Sequence, residues 1–459
     1  MKSSLSFAKA WFAVSLLVLA FGYGFASHAW GLFPKTYVEQ AWGQARAASV
    51  FSSDDGSKVP DSYAKFYDRE GIRTPLPEKF QPGLISIASS WKDSTSFKSG
   101  VKLFSREGRV LHEWLFDRTE LLPKGLGGKG DPEKAPITYS HVLSTGDLIV
   151  TLSYVGMARL DACGNVLWTL SEGIHHWGDR AENGTFWVPG TSAERRNSSE
   201  RYPDGYPGID KPVWLDRILN VSGDGEVLKD IYVLDVLYEN GLERYIPKMM
   251  ASTWPSQGEV PNDITHMNDV EPLDSSIAGE YPLFDAGDLL VSLRHPNLVF
   301  VFDPETLDVK WHASDPFFYQ HDPDFIGGGW ISIFNNNRDL TEDGSMLEGS
   351  EIVAMQPHTD SIRVPFPTEL SEPFYTFHRG AWQKLGNGNM LLAETSKGRV
   401  AEVTPDGRTA WEWVHESYGS KVPAAADVSH LDLPREEVAS WSCSSIDSVS
   451  TDQKQQTAP

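Results

Sequence analysis

The sequence predicts an all-β fold: a six-bladed β-propeller of four-stranded antiparallel blades, preceded by an N-terminal membrane helix. Three observations predict it. An almost wholly apolar run occupies residues 8–27. Short strands and turns then recur up to about residue 416, with almost no amphipathic helix between them. Within that stretch one unit repeats.

The apolar run, "AKAWFAVSLLVLAFGYGFAS", has Lys2 ahead of it and Lys9 at its start, and carries no polar face. Its length suits a membrane span or a long signal-peptide core, and Ser27-His28-Ala29 is a mediocre cleavage site. We read residues 1–30 as a signal anchor, with a cleaved signal peptide as the alternative. The two lysines favour a cytoplasmic start, which puts the remainder on the periplasmic or extracytoplasmic side. Residues 31–83 read as a membrane-proximal region, ending in the Pro- and Gly-rich "GIRTPLPEKFQPG".

The repeat spans residues 84–416. Its clearest copies are "YSHVLSTGDLIVTLSYVGMARLDACGNVLWTL", "IHHWGDRAENGTFWV", "THMNDVEPL" continued by "GDLLVSLRHPNLVFVFDPETLDVKWHA", "YQHDPDFIGGGWISIFNNN", and "TFHRGAWQKLGNGNMLLAETSKGRVAEVTPDGRTAWEWVHE". Each holds a His, a Gly turn and an apolar strand. A complete copy closes with a second turn and a strand ending near Trp. "GVKLFSREGRVLHEWLFD" is a closing half without the His. Such a unit cannot bury both its faces alone, whereas about six arranged radially can. Expected blades are 84–117, 136–170, 173–236, 264–313, 319–367 and 374–416. The rival architecture is a pair of β-sandwiches. Residues 417–459 read as a polar, Ser- and Asp-rich tail with little packing.

Composition narrows the function classes. The chain has 459 residues, 40 basic and 63 acidic, for a formal charge of −23. No basic run is long enough to neutralise phosphates, so a nucleic-acid partner is not expected. The two cysteines, Cys163 and Cys443, have no disulfide or metal spacing.

The repeated histidine carries the chemistry. It precedes the first clear strand of each copy, where the innermost strand of a blade lines the central channel. His141, His176, His266, His321 and His378 are therefore expected to converge on one channel mouth. No H-E-x-x-H or H-x-H occurs, so no metal site is expected. Arg294 ends the apolar strand of "DLLVSLRH". Facing a channel, its planar fork suits a tetrahedral oxyanion such as sulfate or phosphate; paired with an Asp, it would be structural.

These residues resemble the bacterial arylsulfotransferase family of periplasmic six-bladed propellers. The likeness covers most of residues 84–416 and is most specific in "THMNDVEPL", "GDLLVSLRHPNLVFVFD", "YQHDPDFIGGGWISIFNN" and "RGAWQKLGNGNMLLAETSKGRVAEV". It implies transfer of a sulfuryl group from an aryl sulfate ester to a phenolic acceptor, with no nucleotide donor and no cofactor. The family's nucleophilic His looks like His321, its channel His like His266, and its sulfate-binding Arg like Arg294. The family's Asn looks like Asn268, and its His from an earlier blade like His176 rather than His175. Gln320 and the neighbouring Asp residues would orient the His321 ring. His378, His141 and Asn268 would line the substrate site, and His378 or His176 would serve as general acid. The well-studied members also carry a separate N-terminal β-domain and a disulfide that have no match here. The rival functions are a non-catalytic envelope scaffold and an aryl-sulfate hydrolase. A quinone-dependent dehydrogenase is disfavoured, since regular Trp motifs and a Ca²⁺ site are missing.

Overall fold

The computed structural model describes residues 9–24 apart from 10 and 13, and residues 59–441 apart from 95, 126–129, 177, 247–261, 340 and 342. The chain divides into two compact units, residues 1–57 and 58–459. Most of the expected membrane-proximal region, and the last part of the expected tail, lie outside the described residues.

In the first unit, helical residues lie between Lys9 and Gly24. No described helix is long and apolar enough to cross a membrane, and the expected membrane helix lies partly outside the described residues.

The second unit contains six four-stranded antiparallel sheets arranged as the blades of a propeller. Blade 2 comprises Ile137–Val142, Leu148–Leu152, Gly156–Leu160 and Val166–Leu170. Blade 3 comprises Asp179–Arg180, Phe186–Thr191, Asp216–Val221 and Val227–Tyr232. Blade 4 comprises Met267–Pro272, Leu289–Leu293, Leu298–Phe302 and Val309–Ala313. Blade 5 comprises His321–Phe325, Ile331–Asn335, Glu351–Gln356 and Ser361–Phe366. Blade 6 comprises Trp382–Lys384, Met390–Glu394, Arg399–Val403 and Thr409–Val414, with Gly71–Arg73 added on its outer edge.

Blade 1 closes the ring. Its outer three strands are Leu84–Lys92, Phe97–Ser105 and Val110–Phe116, but its innermost strand is Asp427–Leu431 from the far end of the chain. The expected loose tail is therefore corrected for its first half. Ala424, Ala425 and Ala426 are buried, and Lys421–Pro423 pairs with Ser62–Ala64. The physical reason is edge pairing: without this strand, Leu84–Lys92 would expose a row of unpaired backbone groups to the channel. Cys163 is disulfide-bonded. The only other cysteine in the sequence, Cys443, lies outside the described residues.

Burial follows position in the blade. The two middle strands of blade 4 are buried throughout, while the outermost strands of blades 2 and 5 are largely exposed. The recurring Trp has a definite task. Trp114 of blade 1 donates its indole N–H to the carbonyl of Asp161 in blade 2, Trp168 of blade 2 to Gly223 of blade 3, and Trp411 of blade 6 to Arg106 of blade 1. Carboxylates perform the same stitching at the channel. Asp427 accepts from the N–H of Ser140, Glu271 from Phe325 and Asp322 from Trp382, at 2.6–2.8 Å. Each carboxylate caps a backbone donor of the next blade, where no further strand can pair.

Candidate active site

In each blade the start of the innermost strand and the end of the second strand lie on one face, because the two run antiparallel. His266 stands immediately before Met267–Pro272, and His321 opens His321–Phe325. Arg294 and Asn336 directly follow the second strands of blades 4 and 5, and Tyr154 lies just past that of blade 2. The topology thus delivers all of them to one channel mouth.

The side chains meet there. The rings of His176 and His266 lie 4.9 Å apart, and those of His266 and His295 4.8 Å apart. Arg294 donates to His295 Nε2 at 2.8 Å and lies over the Tyr319 ring. Burial and then neighbouring charges, His321 and Arg294 among them, depress the protonation of His176, and burial and then Arg294 depress that of His321. The backbone is held in unusual conformations at this rim. Tyr154, His266, Tyr319, Asp322 and Arg379 all have positive φ, between 46° and 60°. Each such residue costs on the order of 1 kcal/mol or more, which the surrounding packing offsets.

Hydrogen bonding fixes the ring tautomers. His321 Nδ1 lies 3.0 Å from the Tyr319 carbonyl and 2.6 Å from Asn336 Oδ1. The Asn336 amide nitrogen is committed to the carbonyls of Thr376 and Arg379, so its oxygen faces the ring. Both partners of Nδ1 are acceptors. Nδ1 therefore carries the proton, and Nε2 keeps a bare lone pair that no described residue occupies. Burial, and then the Arg294 charge, bring the His321 pKa down to about 3, so the ring is neutral at physiological pH.

His176 is arranged similarly through a relay. His175 Nε2 lies near two acceptors, the Gly190 carbonyl at 3.1 Å and Asp216 Oδ1 at 3.3 Å. With Nε2 facing acceptors, His175 Nδ1 is left to accept from His176 Nδ1 at 2.7 Å. His266 Nδ1 instead meets a carboxylate directly, Asp263 Oδ2 at 2.7 Å. Burial, then neighbouring charges, hold both His176 and His266 well below the usual imidazole range.

The remaining expected residues sit around this centre. Asn268 and Gln320 are fully buried behind it. Asn268 donates to the Gln320 carbonyl, and Gln320 donates to Ser292 Oγ and the Leu293 carbonyl. They position the peptide ahead of His321 but do not touch its ring, which Asn336 and the Tyr319 carbonyl orient instead. His378 stacks on Phe377, pairs through Nε2 with Tyr63 Oη at 2.8 Å, and lies within electrostatic reach of His321 and Arg294. His141 is not brought into the cluster by any described contact. It lies near the far end of its innermost strand, beside Tyr139, and burial and Arg180 lower its pKa to about 4. The spacing held a clue: His141 precedes its Gly by five residues, His176 and His321 by eight.

Sequence reasoning missed Tyr154, Asp263, His295 and Asn336. His295 adjoins Arg294, and Asn336 lies in the "NNN" that ends a strand, so two of the four had a local signal. Asp263, His266 and His295 bring ligand-type atoms within 4.8 Å of one another. They do not fit a cation well. Asp263 Oδ2 and His266 Nδ1 are bonded to each other. His295 donates from Nδ1 to the Asp263 carbonyl and accepts at Nε2 from Arg294, whose charge repels a metal ion.

The sequence profile described as Arylsulfotransferase (ASST) matches residues 141–416, more than half of the chain. The chain belongs to the arylsulfotransferase family. No curated protein matches it. Solved structures similar to the chain include a protein of unknown function from Bacteroides caccae, at 12% identity and a TM-score of 0.46. That alignment covers 75% of this chain and 99% of the other. Another is a catalytically inactive virginiamycin B lyase from Staphylococcus aureus with quinupristin, at 11% identity and a TM-score of 0.36, covering 75% and 89%. A streptogramin B lyase follows at 11% identity and 0.38, covering 82% and 100%. Likenesses this distant carry no functional argument.

Proposed function

We propose that this chain is a nucleotide-independent aryl-sulfate sulfotransferase that works through a sulfohistidine at His321. The observation that carries the reading is the bare Nε2 of a buried, neutral His321 in the same polar mouth as Arg294, in a chain of the arylsulfotransferase family. Nε2 attacks sulfur in line with the aryl oxygen. The N–S bond forms as the S–O bond breaks, and the phenol departs. Positive charge grows on the imidazole, and the two acceptors on Nδ1–H stabilise it. Negative charge on the sulfuryl oxygens meets Arg294 and the neighbouring rings. A phenolic acceptor then takes the group from His321. The apolar N-terminal run accords with an anchored, extracytoplasmic enzyme.

The test is incubation with 4-nitrophenyl sulfate, with and without a phenol. We expect ping-pong kinetics, an acid-labile sulfo group on His321 when the acceptor is withheld, and complete loss of transfer in a folded His321→Ala protein. Nitrophenol release that is indifferent to acceptor would indicate a hydrolase. A fully active His321→Ala protein, or a sulfo group on another residue, would reject the assignment.

A further inference from the structure

Among the three channel-mouth histidines that keep Nε2 uncommitted, His176, His266 and His321, only His266 has a carboxylate on its other nitrogen. The His321 Nδ1 faces two uncharged oxygens, and the His176 Nδ1 faces another imidazole. Asp263 holds His266 with both of its oxygens. Oδ2 lies 2.7 Å from Nδ1, and Oδ1 accepts the His266 backbone N–H at 3.1 Å. Tyr154 Oη donates to the same Oδ2 at 3.0 Å. The carboxylate is 4% exposed, and the residue it grips sits at a φ of +49°, in the left-handed region. Such a carboxylate fixes the tautomer and orientation of the neutral ring. A ring that carries a positive charge in mid-reaction gains from a buried counter-charge on the side away from the substrate.

We propose that Asp263 is a positioning residue that makes His266 the proton carrier of the transfer, in place of His378 or His176; this rests on the sulfotransferase reading above. Before a substrate binds, His266 is neutral. Burial, Arg294 and His295 act against its charge, and Asp263 acts for it; the His176 ring and Tyr154 Oη also lie against the ring. An anionic sulfate ester beside Arg294 removes much of that opposition, and a proton joins Nε2. As the S–O bond breaks, this proton passes to the aryl oxygen, leaving a neutral phenol and neutral His266. In the second half-reaction Nε2 takes the proton of the acceptor phenol, whose oxygen attacks sulfur while the N–S bond to His321 breaks. His266 ends protonated, as it was with the donor bound, and sheds that proton when the product ester leaves, so no net proton is consumed.

The experiment is a leaving-group series on the full chain: aryl sulfates from 4-nitrophenyl to 4-methylphenyl, with wild type and Asp263→Asn. Help from an acid matters more as the departing phenol becomes more basic. Asp263→Asn should lose roughly tenfold in kcat/KM on the nitrophenyl ester and about 10²- to 10³-fold on the methylphenyl ester, within the range of general-acid contributions. A uniform loss across the series would make Asp263 merely structural and overturn the proposal. Should Asp263→Asn fail to fold, donor binding to His321→Ala is followed by calorimetry in buffers of different ionisation enthalpy. Uptake of about one proton above pH 7 supports the proposal, and none overturns it. Wild type that turns over no aryl sulfate rejects the functional reading itself, whereas parallel slopes reject only the role of Asp263.

Discussion

The mouth and the wall of the central channel are built from the same innermost strands, yet they use buried titratable groups in opposite ways. At the wall, Asp427, Glu271 and Asp322 spend their oxygens on backbone N–H groups of the next blade. At the mouth, His176, His266 and His321 spend only Nδ1 on the fold and keep Nε2 in reserve. Burial is the first cause of the shift in both regions, but with opposite sign. It raises the carboxylates, Asp427 to about 6, and lowers the histidines, His321 to about 3. The difference teaches that burial alone does not mark a reactive group. Hydrogen-bonding capacity left over after the fold has been satisfied does.

The sharpest way to press that comparison is at the mouth. Arg294→Lys keeps the charge but loses the planar fork, and kcat/KM should fall about 10²-fold or more. Activity close to wild type would mean that a point charge suffices. Asn336→Ala removes the side-chain acceptor that sets the His321 tautomer, while the Tyr319 carbonyl remains. A fall of about tenfold is expected, with kcat affected more than KM; a change in KM alone would place Asn336 in binding.

The two regions should also pull stability in opposite directions with pH. His321 has a folded pKa of about 3 against an ordinary 6.5. Its contribution is complete above pH 6.5 and is lost as pH falls toward 3. Asp427 has a folded pKa of about 6 against an ordinary 3.8. Its contribution is complete below pH 3.8 and is lost as pH rises through 6, a term of about 3 kcal/mol at most. Thermal melts from pH 3 to 8 should show His321→Gln losing less stability than wild type on the acid side. Asp427→Asn should lose less between pH 4 and 7, since its amide oxygen can still accept from Ser140. Parallel curves for wild type and variant would show that the group does not titrate in that window. The smallest expected effect lies outside both regions. Trp168→Phe deletes one bond between blades, to Gly223, and should cost about 1 kcal/mol in a denaturant melt without changing transfer. A loss of activity there would tie the blade perimeter to the site.

The six blades were legible because strand periodicity, Gly turns and the recurring Trp report which faces are buried, and that information is local. His176, His266, Arg294 and His321 were legible for the same reason: each sits at a fixed place relative to its strand. His141 was misplaced because a His near a strand looks alike at either end of it. What lay beyond the sequence is whatever depends on partners from other blades. Asn336 stands 15 residues from His321, Tyr154 109 from Asp263, and Tyr63 315 from His378. The closing strand Asp427–Leu431 was read as tail, since "DVSHL" has too little apolar pattern to announce a strand and acquires one only by pairing with Leu84–Lys92. By itself, then, the sequence determined the repeat, the number of blades and the residue types at the channel mouth. Only the tertiary structure decided which nitrogen of each histidine carries the proton and which carboxylate stands behind it, because a tautomer is set by the acceptors that folding brings within 3 Å and not by neighbours along the chain.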